Sequence, residues 1–466
     1  MVQNNKQIDL MDNDNGGRLF LSGLTPKVEA AIIGAVQKGA AQRVRTLIAP
    51  LHPADQADLL ERMPAGIAAS LIQFLNDHLN GQTLTYLNEN TRGQIIELIG
   101  AKALARQLHN LSTDDAIDIV EELEKDTLAD VLAALSNEKR VLVEESLSFP
   151  EDSAGRLMQR EIITVPSFWT VGQTIDFLRS GAVKTPDFYL IFVVDPARKP
   201  LGEVPLSKLL CSQRYCRILE IMEADFRLIP VNMDQEEAAV LFRRYGMVSA
   251  GVVDLRNHLV GMITIDDVID VIDEEAEEDL MALAGVGGAS LRSSIAETIK
   301  GRAAWLLVNL VTAILASVVI NMFDGTIEQL VALAVLMPIV ASMGGNAGTQ
   351  TIAVAVRAIA LRQLDAVSTR SFIFRESLVA FLNGLVFASL AGFVSFVWFS
   401  DPEIAIVMAV AMLANLLVAG LSGTLVPVGL LRSGVDPAVA SSVFVTTITD
   451  VVGFSVFLGL AALYLM

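Results

Sequence analysis

The chain has 466 residues, 53% of them hydrophobic, and still carries a formal net charge of -19. Ala303 to Met466 holds 8 acids and 5 bases, a balance of -3, so residues 1–302 carry the other -16. The two parts fall in different compositional classes, an acidic soluble part and an apolar membrane part, and the acidity argues against nucleic acid and anionic lipid as partners.

Residues 1–23 read as a disordered tail. Met1 to about Arg18 is rich in Asn and Asp and has no apolar signal core. From residue 24 to 150, short amphipathic helical pieces alternate with turn signals at His52-Pro53, Met63-Pro64, Asn80-Gly81 and Leu111-Ser112-Thr113-Asp114. This pattern predicts an α-helical superhelix. Ser112 and Thr113 resemble a helix N-cap. Asp114 and Asp118 lie one helical turn apart, either presenting two carboxylates together or forming the solvated acidic start of a helix. Cys211 and Cys216 do not have zinc or redox spacing, and His52, His78, His109 and His258 are scattered. With no Ser/His/Asp or Cys/His constellation, no enzyme is expected.

An internal repeat follows. Phe192-Val193-Val194-Asp195, Leu201-Gly202 and Leu206 recur as Gly251-Val252-Val253-Asp254, Val260-Gly261 and Ile265, an offset of 59 residues. Each unit reads as strand, turn, strand, helix, with Met158 and Met222 opening the two. The units are placed at 151–221 and 222–272. From Asp266 to Asp279 there are nine acids and no base. On a helix many of these like charges meet at i,i+4 spacing, a repulsion that divalent cations would relieve. Residues 273–302 are read as a connecting helix ending in a hinge at Gly285-Val286-Gly287-Gly288.

Residues 303–466 contain five apolar stretches: Ala303–Phe323, Gln329–Val356, Ser377–Ser400, Ile404–Leu431 and Pro437–Met466. Each reaches the ~20 residues a helix needs to cross a bilayer. Lys300 and Arg302, then Arg357, Arg362, Arg370 and Arg375, then Arg432 fall on one side, while the alternate loops hold only acids. The positive-inside rule puts the soluble part in the cytosol and Met466 outside.

Asp450 is the charged residue of the fifth stretch, and a carboxylate at the bilayer centre costs at least ~2.5–3.5 kcal/mol. That cost is tolerable beside a wet cavity or a cation. The alternative is a protonated Asp bonded to a neighbouring helix. Thr446 and Gly453 lie within one turn of it. The second stretch carries Pro338 and the run Gly344-Gly345-Asn346-Ala347-Gly348-Thr349-Gln350, which permits close helix contact or local unwinding. Asn346 and Gln350 share a face directed into a pore or across a subunit interface. A two-fold axis would bring two Asp450 carboxylates together. Few carboxylates among neutral oxygens suit hydrated magnesium.

Four elements together resemble the MgtE family of magnesium channels over nearly the whole chain. They are Phe149 to Met158, the paired cystathionine-β-synthase-type (CBS) repeats, Met337-Pro338 through Gln350, and Asp436-Pro437-Ala438 leading to Thr446-Thr447-Ile448-Thr449-Asp450. The resemblance implies a homodimer in the plasma (inner) membrane, with an N-terminal α-superhelix, an α/β CBS pair, a connecting helix and five transmembrane helices. It implies that Asp450, Asn346 and Thr446 line the pore. It also implies that Asp267, Asp270, Glu275, Glu278, Asp279 and Asp436, with Asp114 and Asp118, bind gating Mg2+. The second repeat keeps Thr264 and Asp267, residue types that hold a ribose in CBS domains, so ATP is the expected modulator. The first repeat departs from the pattern, with Gly202-Glu203-Val204-Pro205 where a hydrophobic strand is usual. There is no phosphate loop for a primary pump. The expected function is therefore passive magnesium uptake shut by cytosolic magnesium. A sodium- or proton-coupled carrier of magnesium, cobalt or another divalent cation is the alternative.

Overall fold

The structure, a computed structural model, describes residues 23–75, 79–181, 188–286, 295–360, 364 and 366–465. The expected tail before Gly23, Gly287 and Gly288 of the expected hinge, Arg362 and Met466 lie outside the described residues. The chain divides into two compact units, Met1–Ile272 and Asp273–Met466.

The first unit begins with short helices: α1 Pro26–Gln37, α2 Ala41–Ile48, α3 Pro53–Arg62, α4 Ala65–Leu75, α5 Gln82–Thr85, α6 Glu89–Ile99, α7 Ala101–Leu108, α8 Thr113–Glu121, α9 Lys125–Ala134 and α10 Asn137–Leu147. The turn signals fall on their ends. His52 caps α3 by accepting from Ala54 N, with Pro53 in the first turn, and Met63 ends the helix. Asn88 and Ser136 cap α6 and α10 through their side chains. The stacked helices share one apolar core that includes Ile32, Leu71, Leu104, Ile119 and Val143.

The repeat forms two small sheets. α11 Ala154–Leu157 precedes β1 Thr164–Pro166, α12 Val171–Arg179, β2 Leu190–Val194, β3 Pro200–Pro205 and α13 Leu206–Cys211. Then α14 Ile218–Ile221 precedes β4 Leu228–Pro230, α15 Gln235–Tyr245, β5 Ser249–Val253 and β6 Leu259–Thr264. Each sheet pairs its first two strands parallel and its last two antiparallel, and each shifts register in its middle strand, at Val193/Val194 and at Val252/Val253. The tight turns match as well, with Arg198 and Asn257 at φ 61° and 63°.

The two repeats interlock. Met158, which opens the first, lies in the core of the second sheet with Ile229 and Ile263. Met222, which opens the second, packs on the core of the first sheet. The interlock requires glycine: a Cβ on Gly261 would stand 2.6 Å from Met158 Sδ, and one on Gly202 would stand 3.0 Å from Met222 Sδ. The unusual Gly202-Glu203-Val204-Pro205 segment still forms β3. Its backbone exchanges two hydrogen bonds with Glu223, of 3.0 and 2.8 Å. Burial and the neighbouring Glu223 raise the Glu203 carboxyl to about 7, so the strand accepts it in a largely protonated form below that pH.

α16, Ile265–Leu283, carries the acidic run. It ends at Gly285, whose φ of 68° suits a residue without a Cβ. The Val286 N–H reaches back to Met281 O at 2.9 Å. In the second unit follow α17 Ile295–Asn321, α18 Asp324–Gln329, α19 Val331–Ala360, α20 Ala366–Phe399, α21 Pro402–Arg432 and α22 Pro437–Tyr464. Five helices among the described residues are long and apolar enough to cross a membrane: Thr298–Asn321, Val331–Ala360, Ser368–Phe399, Pro402–Arg432 and Ser441–Tyr464. The third begins well before the apolar stretch at Ser377, because helix continues through the charged positions Arg370, Arg375 and Glu376. Asp401 caps α21 and Asp436 caps α22.

Candidate ion path and regulatory acids

α19 runs unbroken through Pro338 and the glycine run. Of the two readings open for these glycines, the structure shows close packing and no unwinding. A Cβ on Gly348 would press on Val445 of α22, and one on Gly344 would overlap the amide of Asn415 on α21. With Gly344 and Gly348 turned inward, helical spacing leaves Asn346, Thr349 and Gln350 exposed. On α22, Thr446 is exposed and Asp450 half-buried. Both line a cleft of about 550 Å³ shared with Arg302, Trp305, Asn309 and Thr312 of α17. Thr349 satisfies its hydroxyl on Gly345 O at 3.0 Å, but amides and carboxylates exposed along membrane helices need water, ions or another polar surface, since lipid offers them nothing. A cavity of about 660 Å³ beside Arg106, His109 and Ser136 holds none of the candidate residues.

Asn415 escaped the sequence reading. It is fully buried, its Nδ2 donates to Val340 O at 2.9 Å, and its Oδ1 has no hydrogen-bond partner. Its signal was akin to the one that marked Asp450: it is the one carboxamide of the stretch Ile404–Leu431, as Asp450 is the one charge of the fifth stretch.

In the second unit, Ala282 at the end of α16 packs with Ile352, Val356, Ala438 and Val445. This contact brings Asp279 near Asp436. Burial, then the charges of Asp436 and Glu278, raise the Asp279 carboxyl. Asp436 also accepts from Ala438 N at 2.8 Å. Glu278 is exposed and Glu275 half-buried on the same helix.

The first unit assembles a second acidic site. Asp114 is 8% exposed and its Oδ1 is buried without a partner, an arrangement that costs roughly 1–3 kcal/mol or more. Burial, then the charges of Asp267 and Asp115, hold its carboxyl well above the usual range. Burial also raises Asp267, to about 7, against hydrogen bonds from Thr264 Oγ1 at 2.7 Å and Thr264 N at 3.2 Å. Asp118 and Asp270 are exposed. The helix that carries Asp114 and Asp118 therefore buries one acid and exposes the other. Ser112 stands at the expected cap position of α8, but its hydroxyl donates to Asp115 at 2.7 Å and makes no bond to the backbone of the helix.

Lys139 and Glu161 complete this site and were not foreseen, because they are distant in sequence. Lys139, 6% exposed, donates to Leu111 O at 2.7 Å and pairs with Glu161 at 3.1 Å. Glu161 also accepts from Thr113 Oγ1 at 2.8 Å. Burial alone would raise Glu161, but Lys139 and the Thr113 bonds outweigh it and hold the carboxyl below its ordinary value. Arg156–Glu121 at 3.0 Å and Arg160–Glu145 at 2.7 Å tie the same helices to the chain entering the sheets. Lys139→Met removes the ammonium that stands 3.1 Å from Glu161. Breaking a buried pair costs about 3–5 kcal/mol, and the part exposure of Glu161 favours the lower figure. Calorimetry of the full chain in detergent should show the cytosolic transition falling by roughly 6–10 °C; an unchanged transition would remove Lys139 from this role.

Among the described residues, no three His, Cys, Asp or Glu close on one metal position. The acids approach pairwise, Asp114 with Asp267 and Asp279 with Asp436. Such pairs suit an ion that keeps most of its water and is held by one or two carboxylates, which is how magnesium binds.

Comparison with known proteins gives concordant matches along the chain. The family model MgtE, described as divalent cation transporter, matches residues 337–460; the MgtE intracellular N domain matches 51–152; the CBS domain matches 218–274. The magnesium transporter MgtE of Thermus thermophilus is 30% identical over 446 residues, 94% of this chain and 99% of the relative. That of Bacillus subtilis is 27% identical over 435 residues, 93% of this chain and 96% of the relative. The crystal structure of the soluble part of a magnesium transporter is similar at 25% identity and a TM-score of 0.50, covering 54% of this chain and 98% of that one.

Proposed function

Because this chain belongs to the MgtE family of magnesium transporters, we propose that it is a homodimeric, magnesium-selective channel of the plasma (inner) membrane, closed by cytosolic magnesium. The observation that supports a pore is the polar face that α19 and α22 leave uncovered. Asn346 and Thr446 are exposed there and Asp450 is half-buried. In the proposed dimer a two-fold axis pairs the two Asp450 carboxylates, while the amides and hydroxyls hold the water of a hydrated ion. Uptake is passive and runs down the electrochemical gradient.

Gating uses the two acidic sites. Magnesium at Asp114 and Asp267 holds the superhelix on the CBS pair. Magnesium at Asp279 and Asp436 holds the end of α16 against the ends of α19 and α22. Asp118, Asp270, Glu275 and Glu278 add charge that attracts the ion. When magnesium falls, repulsion separates these surfaces and the population moves to the open state. A nucleotide ribose at Thr264 and Asp267 would displace the bonds between them, so ATP acts here as a modulator.

Patch recording of the full chain tests the gate. Open probability should fall as cytosolic magnesium rises from micromolar to tens of millimolar, and a flat response would end the gating proposal. The same recording with ATP added should shift the closing concentration; without a shift, ATP is dropped. Liposome flux that collapses without a sodium or proton gradient would replace the channel with a coupled carrier.

A further inference from the structure

Asn415 touches three membrane helices at once. It stands on α21, its Nδ2 bonds Val340 O of α19 at 2.9 Å, and its amide fills the notch over Gly344. On the other side it meets α22, where a Cβ on Gly453 would lie 2.7 Å from Nδ2 and 3.1 Å from Oδ1. Each glycine is within one helical turn of a residue assigned to the ion path: Gly344 two positions before Asn346, and Gly453 three after Asp450. The planar amide fits between two backbones where a branched side chain would push them apart. A side chain with no donor would lose its grip on α19.

The geometry points to Asn415 as a positioning residue of the ion path, a bolt through α21 that sets the separation of Asn346 on α19 from Asp450 on α22. It does not itself contact the ion, being fully buried. The inference rests on the reading of Asn346 and Asp450 as pore groups. Selectivity for a hydrated ion depends on the distance between oxygens facing it, so a loosened bolt changes which ion passes as well as how fast.

The test is magnesium and calcium flux into liposomes carrying the full chain, with both fluxes divided by the amount of protein incorporated. N415A, which has no donor, should lower magnesium flux by about tenfold, the order of loss that a sub-ångström misplacement of positioned groups brings, and should also change the magnesium-to-calcium ratio. G344A alone should incorporate poorly and conduct poorly, because its methyl needs the space of the amide. The G344A/N415A double variant should recover part of both relative to G344A. A packing role alone would lower incorporation and leave the ion ratio at its wild-type value. That result overturns the inference, as does a double variant no better than G344A in incorporation and flux. D450N in the same assay separates the two readings. If D450N conducts like wild type, the pore reading falls. If D450N is silent while N415A keeps wild-type flux and ratio, only the role of Asn415 falls.

Discussion

Replacing Asp450 with asparagine is expected to take magnesium flux in liposomes down to the leak of protein-free vesicles. The substitution is close to isosteric. It removes a charge that sits half-buried on α22, inside a membrane span. A divalent ion held about 5 Å from a carboxylate through water gains roughly 2 kcal/mol, and more where the pore wall lowers the effective dielectric. Losing that term once lowers ion occupancy about thirtyfold, and in the proposed dimer it is lost twice, by several hundredfold in all. The variant should still insert, since an amide is cheaper than a carboxylate to bury in a bilayer. Wild-type conductance with wild-type selectivity would remove Asp450 from the pore.

The second large effect is expected at Asp114 and Asp267. Both carboxyls are raised in the assembled first unit, so assembly favours their protonated forms. The contribution of Asp267 is fully present below a pH of about 4 and is lost as pH rises through about 7, and that of Asp114 is lost in the same direction. Without magnesium, the full chain in detergent should protect α8 from hydrogen exchange at pH 6 and release it at pH 8. Added magnesium should restore protection at pH 8 by replacing the missing protons. Asp267 raised from an ordinary value to about 7 corresponds to roughly 4 kcal/mol of repulsion and desolvation at high pH. Asp114→Asn together with Asp267→Asn removes that penalty and the ligands at once. The double variant should be protected at pH 8 with or without magnesium. Protection that still rises with magnesium as in wild type would show that magnesium binds elsewhere and would end the role proposed for this pair.

Much of this protein was legible from local patterns. Hydropathy alone marked the five membrane helices, because lipid demands a long apolar helix whatever its neighbours do. Exchange of backbone hydrogen bonds between strands needs a fixed register, so the 59-residue offset carried over to matching strands, bulges and turns. Asp450 was visible because a charge in a span is expensive wherever it points. The interlocked order of the repeats was not legible. Met158 and Met222 read as starts of their own units, and only packing assigns each to the other unit's sheet.

The acidic run illustrates the same limit. Composition marked Asp266 to Asp279 as one feature, while the structure places Asp267 with Asp114 in the first unit and Asp279 with Asp436 in the second. It adds Lys139 and Glu161, which no spacing joins to them. The sequence by itself determined the class of the protein, its membrane helices, its repeat and the residue types that can meet a cation, all of which depend on short stretches of chain. The tertiary structure alone decided which acids face one another, which glycines are notches, and that Asn415 joins three helices. Those properties depend on burial and on distances between residues far apart in the chain, and both are set by packing.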